Sequence, residues 1–339
     1  MLGFIARCDK TGLGVESVEF VQHMMPEKLL VALPKLHCDM PEQFANHPDV
    51  AFLDRFPSPE EADKFLDGLD TLFCIEEPYD WSLLVRAQAR KVRTVLRINY
   101  EYLPEPTPPG IDVMVAPVDW YQPPGTVILP FPLNRRRFPF RKRTRAHTFV
   151  HIGGRLGMHG RNGTKELLQA IPLVKSDVRF IIYSQRKLEI IDDPRIEWHF
   201  ENVADNSVLF QEGDVMIFPR RYAGQALSVN ESLSVGMPVI MTNMRPQNAF
   251  LLPELMFPYQ SMESIHLERT IEFATLDPVV IAAKIDEFAG KDISGLSGWA
   301  NRYAETLSWE TLMPRYVELL CPGRLAGAQP QMSQGAVSR

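Results

Sequence analysis

Residues 213–240 read GDVMIFPRRYAGQALSVNESLSVGMPVI. Positions 215–218 are a continuous apolar run of strand length, and Pro219 ends it because proline has no N–H for a sheet ladder. A loop containing Gly224 turns the chain. A helix follows from about Leu227 to Val235, with Gly236 placed as the residue just past its end. Positions 238–241 are then a second apolar run. Strand, loop, helix, strand is the grammar of a parallel α/β sheet. Ligands of such sheets bind outside the carboxyl ends of the strands. The loop before Leu227 and the unpaired N–H groups at the helix start therefore form a ready phosphate site. Glu231, one turn into the helix, can accept two hydrogen bonds from a ribose diol. It serves equally as an ordinary favourable charge near a helix start.

The same grammar extends in both directions. Upstream, 148–152 reads as a strand, Gly153-Gly154-Arg155 as a glycine turn and 164–173 as a helix, with further strands at 178–183 and 196–200. Arg155 and Arg161 on one glycine-rich loop suit a diphosphate, because guanidinium forks bind phosphate oxygens bidentately and keep their charge. At the N-terminus, 2–6 is a short strand, Gly12-Leu13-Gly14 a turn, and 15–24 carries apolar residues at helical spacing. Short apolar runs recur at 28–33, 50–53, 71–75, 94–98 and 112–116, separated by helix-compatible stretches at 58–68 and 81–90. Dense prolines between Pro117 and Pro139 interrupt regular structure. The reading is an α/β protein of two Rossmann-like domains. The divisions are 1–134, a basic linker at 135–147, a second domain at 148–300, a final helix at 301–321 and a disordered tail at 322–339.

Composition narrows the classes. The chain has 339 residues, 45% of them hydrophobic, which is enough for two cores. Its net charge of −6 disfavours general nucleic-acid binding. Seven cations nevertheless fall among the eleven residues 135–145, either as a solvated linker or as an anion-facing patch. No apolar run is long enough to span a bilayer, and the N-terminal one is too short for a secretory signal. Cys8, Cys38, Cys74 and Cys321 are scattered, with no metal or disulfide spacing. A cytoplasmic protein is expected. His151 at a strand end reads as a hydrogen-bonded structural residue, and His159 in the glycine-rich loop as the better functional candidate.

The second half resembles the donor domain of family-4 retaining glycosyltransferases, whose fold is termed GT-B. Gly154-Arg155-Leu156 is similar to their GRL loop, and Arg161-Asn162-Gly163 stands where they carry KG or KNG. Residues 213–222 resemble ADVFVLPSRY, and 231–240 resemble EAMACGLPVV. Residues 128–138 are similar to VIPNGVDLERF, and 307–310 to the FSWE of a final helix that crosses back to the first domain. In residues 1–127 only the glycine loop and the strand rhythm agree.

The resemblance implies two domains facing a central cleft and transfer of a sugar from a nucleotide-diphosphate sugar. Glu231 would hold the ribose, and Arg155 with Arg161 the diphosphate leaving group, where negative charge grows in the transition state. Gly154, Gly224, Gln225, Ala226, Leu227 and Ser228 complete the expected donor side. No D-x-D triplet occurs, so no metal and no cofactor is expected. Two departures matter. The family's EGFG stretch is Ala223-Gly224-Gln225-Ala226 here, which removes a carboxylate that contacts the donor sugar. The strand at 71–75 ends in Glu76-Glu77-Pro78-Tyr79-Asp80, where many members carry a histidine. Glu76, assigned a catalytic role, and Asp80 become acceptor-side candidates with Gly12, Leu13 and Gly14; Arg97, Asn99, Tyr100 and Glu101 follow the next strand. The acceptor is expected to be a carbohydrate or small molecule. The alternatives are hydroxymethylated bases in DNA and a catalytically silent sugar-nucleotide-binding module.

Overall fold

Gly12-Leu13-Gly14, expected as a turn, is instead the first turn of the helix that follows the first strand, and Gly153-Gly154 end a strand of the second half. The computed structural model describes residues 1–32, 41–155, 158–188, 190–201, 203, 205–222 and 224–325. In chain order the first elements are β1 (Leu2–Ile5), α1 (Gly12–Met24), β2 (Lys28–Ala32), β3 (Val50–Leu53), α2 (Pro59–Leu66), β4 (Thr71–Ile75), α3 (Ser82–Ala89), β5 (Arg93–Arg97), β6 (Val113–Ala116) and β7 (Val127–Ile128). They form a seven-stranded sheet in the order β3-β2-β1-β4-β5-β6-β7. The β1–β2, β1–β4, β2–β3 and β6–β7 pairs are parallel. This is the doubly wound order, in which consecutive right-handed crossovers fill the sheet outward from β1.

A second series follows: β8 (Thr148–Gly154), α4 (Thr164–Ala170), β9 (Arg179–Ser184), β10 (Ile196–His199), β11 (Val215–Phe218), α5 (Leu227–Ser234), β12 (Val239–Thr242) and β13 (Met256–Phe257). These strands form a parallel sheet in the order β10-β9-β8-β11-β12-β13. Helix α5 ends as its sequence predicts, with Gly236 at φ +77° just beyond Val235. The remaining elements are an antiparallel hairpin, β14 (Ser261–His266) and β15 (Thr270–Thr275), then α6 (Pro278–Phe288), α7 (Ser294–Thr306), α8 (Trp309–Leu320) and the short α9 (Pro322–Leu325). The helical turn at Pro322–Leu325 replaces the start of the expected disordered tail; residues 326–339 lie outside the described residues.

Contacts divide the chain into two compact units. One holds Met1–Leu96, Pro109–Val113 and the described residues from Leu312 onward; the other holds Arg97–Pro108 and Met114–Thr311. In the first, Phe4, Phe20 and Phe73 form a ring cluster with centroids 4.5–5.6 Å apart. Tyr316 of α8 joins it edge-on to Phe20 at 6.5 Å, so the last long helix belongs to the first unit's core. Gly14 is required by a close approach, because a Cβ there would sit 1.7 Å from the Asp9 carbonyl oxygen. In the second unit, the sheet's core residues include Phe149, Phe180, Ile217, Leu233 and Ile240. A separate apolar cluster joins Ile271 and Phe273 of the hairpin to Trp120 and Tyr222. The sequence does not signal the hairpin: β14 alternates no apolar face strongly enough to read as a strand, and the hairpin packs on Trp120 and Tyr222, far away in sequence.

The basic stretch 135–145 is neither a free linker nor a single anion-facing patch. Arg136, Arg141, Lys142 and Arg145 are exposed, but several of the side chains have fixed acceptors. Arg135 donates to Asn301, Arg137 to Asp205 (3.1 Å) and Asn206 (2.7 Å), and Arg141 to the Gln211 carbonyl (2.6 Å). Arg143 is 3% exposed and donates to the carbonyls of Gly213 (2.7 Å), Phe210 (2.8 Å) and Arg141 (3.1 Å). Burial, with Arg141 adding to it, pulls its pKa down to about 10. Arg143→Met should strand these carbonyls and cost about 2–4 kcal/mol, the range for buried acceptors that lose their donors. Neutralising Arg136 or Lys142 should stay within about 0.5 kcal/mol. Urea unfolding of the three variants measures the difference, and equal midpoints would remove the clamp role from Arg143.

Candidate functional site

Strands β8 and β11 are parallel neighbours, with Val215 opposite Phe149, so the loops leaving their carboxyl ends lie side by side. The first loop carries Gly154, Arg155 and Arg161; the second leads through Pro219, Arg220 and Arg221 to α5. Several contacts lock them together. The Arg221 N–H donates to the Arg161 carbonyl at 2.9 Å. The Asn162 amide donates to the Gly153 carbonyl at 2.9 Å and closes the first loop on itself. Gly163 has φ +64°, and a Cβ there would lie 1.9 Å from the Pro219 carbonyl oxygen. The expected donor-side residues Gly154, Arg155, Arg161, Gly224, Gln225, Ala226, Leu227, Ser228 and Glu231 all fall in this unit, on these two loops or on α5. Leu156 and Ala223 lie outside the described residues.

Side chains divide by environment. Arg155 is exposed at the end of β8. Arg161 is three-quarters covered, 3.4 Å from Glu101 and 5.8 Å from the centre of the Tyr222 ring. Arg221, by contrast, is structural: it pairs with Glu166 at 2.9 Å, donates to the Ala274 carbonyl at 2.9 Å and lies 3.7 Å over the Phe273 ring. Glu231 is 5% exposed, and Asn206 donates to its Oε1 at 2.6 Å. Arg137 in turn donates to Asn206 at 2.7 Å, so the basic stretch orients the carboxylate through one amide. The start of α5 has no capping side chain and no acidic residue in its first turn. Its partial positive charge is left for an anion.

A cleft of about 410 Å³ runs past Gly224, Gln225 and Ala226, with apolar walls from Val118, Met241 and Phe250. Gln225 is partly committed there, since its Oε1 accepts from the Phe131 N–H at 3.2 Å. Asn230 also lines the cleft, and its buried amide nitrogen has no partner among the described residues.

The acceptor-side candidates separate. Gly12, Leu13 and Gly14 open α1 in the first unit. Glu76, at φ +68°, and Asp80 follow β4, the neighbour of β1. Arg7 links the two loops, 2.8 Å from Glu77 and 3.8 Å from Glu76. Asp80 accepts from the Ser82 N–H (2.9 Å) and hydroxyl (2.8 Å) just before α3. Asn99 and Tyr100 belong to the second contact unit, where Tyr100 stacks on Tyr121 at 5.6 Å. His159 is exposed with φ +50°. Sequence reasoning missed Arg220 and Asn206. Arg220 stands where the family motif has serine, which was a readable signal; nothing in the sequence tied Asn206 to Glu231.

Residues 146–258 match the family described as glycosyl transferases group 1. The solved structures similar to this chain include Anabaena HepE with UDP and glucose, at 11% identity and TM-score 0.65, covering 94% of this chain and 98% of that one. A glycosyltransferase from Rickettsia africae gives 10%, 0.65, 94% and 97%. Sucrose-phosphate synthase from Thermosynechococcus elongatus gives 13%, 0.63, 97% and 99%. The fold is GT-B. A search of curated protein sequences finds no match. The resemblance read from the motifs of the second half therefore holds, and the fold extends it over the first half. Among the described residues no helix is long and apolar enough to cross a membrane.

His151 is 1% exposed at the centre of β8. Its Nδ1–H donates to the Ile217 carbonyl at 2.9 Å, which leaves Nε2 to accept from the Thr164 hydroxyl at 2.8 Å. It ties β8, β11 and α4 together beneath the loops, in the structural role its position suggests. Burial lowers its pKa to about 4. The folded state thus resists a proton that the unfolded chain takes up near pH 6.5. Its contribution is complete above pH 6.5, falls as the pH drops toward 4, and is flat below. The loss amounts to about 3 kcal/mol. His151→Gln should lack this share of the acid slope when urea unfolding is followed from pH 7.5 to 4.5. Equal slopes in the two proteins would contradict the assignment.

Proposed function

We propose that the chain is a retaining glycosyltransferase that takes a nucleotide-diphosphate sugar as donor and a hydroxyl group as acceptor. The observation that carries it is the joining of the loop after β8, which holds Arg155 and Arg161, to the loop after β11, which leads to the uncapped start of α5 and the oriented carboxylate of Glu231. These are the groups needed for a diphosphate and a ribose on one ligand. The guanidiniums and helix N–H groups are fixed before reaction, so they stabilise the charge that develops on the leaving diphosphate without reorganising. Leaving-group charge is met by protein cations, and we read the reaction as metal-independent and cofactor-free. HepE, solved with UDP-glucose, supports a nucleotide-sugar donor.

Glu76 remains the acceptor-side carboxylate of this reading, half-buried at the end of β4. Asp80, bonded to Ser82 just before α3, stays beside it as an acceptor-side candidate. The acceptor is a carbohydrate or small molecule rather than DNA, because Arg135, Arg137 and Arg143 are committed to protein acceptors. A silent binding module is disfavoured by the survival of Arg155, Arg161 and Glu231 together.

Glu231→Ala should weaken binding of a nucleoside diphosphate by about 1.5–3 kcal/mol, the loss expected for charge-assisted hydrogen bonds. Calorimetry against the parent protein measures it. Unchanged affinity would take Glu231 out of the site and with it the ribose assignment.

A further inference from the structure

Behind the glycine-rich loop lies a small buried group of charges that the family motifs do not assign. Arg220 is 4% exposed at the end of β11. Its Nε–H donates to the Tyr222 carbonyl at 3.1 Å, and its guanidinium carbon lies 5.5 Å over the Phe218 ring. Its other two nitrogens make no hydrogen bond among the described residues. Burial first, and the Arg161 charge second, pull its pKa down to about 9, while Glu101 and the Tyr222 and Tyr102 hydroxyls act the other way. Both guanidiniums meet Tyr222, Arg220 through its backbone carbonyl and Arg161 at 5.8 Å from its ring centre, so they share one neighbourhood.

The Glu101 carboxylate faces Arg161. Glu101 is 3% exposed, and the Glu268 N–H donates to its backbone carbonyl at 3.2 Å. Arg269 donates to the carbonyls of Leu103 (2.8 Å) and Pro104 (2.9 Å), which pins the same segment. The Glu101 side chain meets Arg161 at 3.4 Å, long for a charge-assisted hydrogen bond. The Glu101 Oε2 has no partner among the described residues, and neither does the Arg161 Nε. A buried ion pair is worth its desolvation only when the geometry is close and the remaining polar atoms are satisfied. This pair is loose, half-satisfied and outnumbered by positive charge. Such a group is out of balance by itself and suits an anion carrying two negative charges.

We propose that Arg220 acts with Arg161 as a second buried cation for the diphosphate of the donor, and that Glu101 competes with that diphosphate for the same guanidiniums. The proposal rests on the nucleotide-sugar reading for the identity of the ligand, but the anion site is defined by these residues alone. Glu101 then tunes affinity: it lessens the cost of burying the arginines, and it weakens product binding so that the nucleoside diphosphate can leave. The serine of the family motif cannot do this, so the pairing belongs to this chain's own sequence.

Opposite responses of two neutralising variants test it, by titrating the full chain with inorganic pyrophosphate and, separately, with UDP. Glu101→Gln keeps the shape and removes the competitor, so both ligands should bind about tenfold tighter, the equivalent of about 1.4 kcal/mol. Arg220→Met should bind both about tenfold weaker, and Arg220→Lys, which keeps the charge but loses the fork, should recover part of the loss. A purely structural role would make both neutral variants weaker together, and that result overturns the proposal. So does UDP binding that neither variant changes, which leaves the nucleotide-sugar reading standing. Pyrophosphate responses as stated, with UDP no tighter than pyrophosphate, would keep the anion site and discard the nucleotide. Binding of neither ligand to the parent protein removes both. If Arg220→Met does not fold, Glu101→Gln and Arg220→Lys decide.

Discussion

The close approach of Gly163 to Pro219 holds the candidate site together. No side chain fits at residue 163, because its Cβ would stand 1.9 Å from the Pro219 carbonyl oxygen, and φ +64° is a conformation glycine adopts without strain. With glycine there, the loop after β8 lies flat against the end of β11, and the Arg221 N–H reaches the Arg161 carbonyl. That contact sets the side chain of Arg161 toward Tyr222 and Glu101 rather than into solvent. The start of α4, with His151 bonded to Thr164 beneath it, is fixed by the same approach. Loop placement, cation placement and the core under them thus depend on one position that tolerates no Cβ.

Charge in this unit is arranged around that constraint. The buried arginines divide into those whose donors are spent on the protein and those whose donors remain available. Arg143 spends its side-chain donors on three carbonyls, and Arg221 divides its own between Glu166 and Ala274. Arg161 and Arg220 keep side-chain nitrogens without a hydrogen bond among the described residues. Glu231 lies one turn into α5, held by Asn206 and, through it, by Arg137. Oriented cations and a preset carboxylate cost little further entropy when a ligand arrives.

Much of the fold was legible because its signals are local. Apolar runs bounded by glycine and proline located the strands of both sheets except the two-residue edge strands β7, inside the proline-dense stretch, and β13, and Gly236 marked the end of α5. The two arginines of the glycine-rich loop and Glu231 were legible as chemistry because their spacing to strand ends is fixed by the βαβ unit. The rest depends on long-range placement. Glu101 meets Arg161 across sixty residues, and no periodicity encodes that. The hairpin of β14 and β15 is polar on its exposed positions and buries Ile271 and Phe273 against Trp120 and Tyr222, so its strand signal is split. Arg143 lay in a run of cations, where the usual expectation is solvent; only the three carbonyls around it show otherwise.

The central claim is that this unit activates the sugar–phosphate bond of a nucleotide-diphosphate sugar with protein cations. The most direct measurement incubates the purified chain with a panel of nucleotide sugars in excess EDTA, without acceptor, and follows the products by NMR. The account predicts slow release of a nucleoside diphosphate from at least one donor, with the first-formed sugar keeping the donor's anomeric configuration. Release that occurs only when divalent metal is restored, first-formed sugar of inverted configuration, or no release and no binding of any donor in the panel would contradict it.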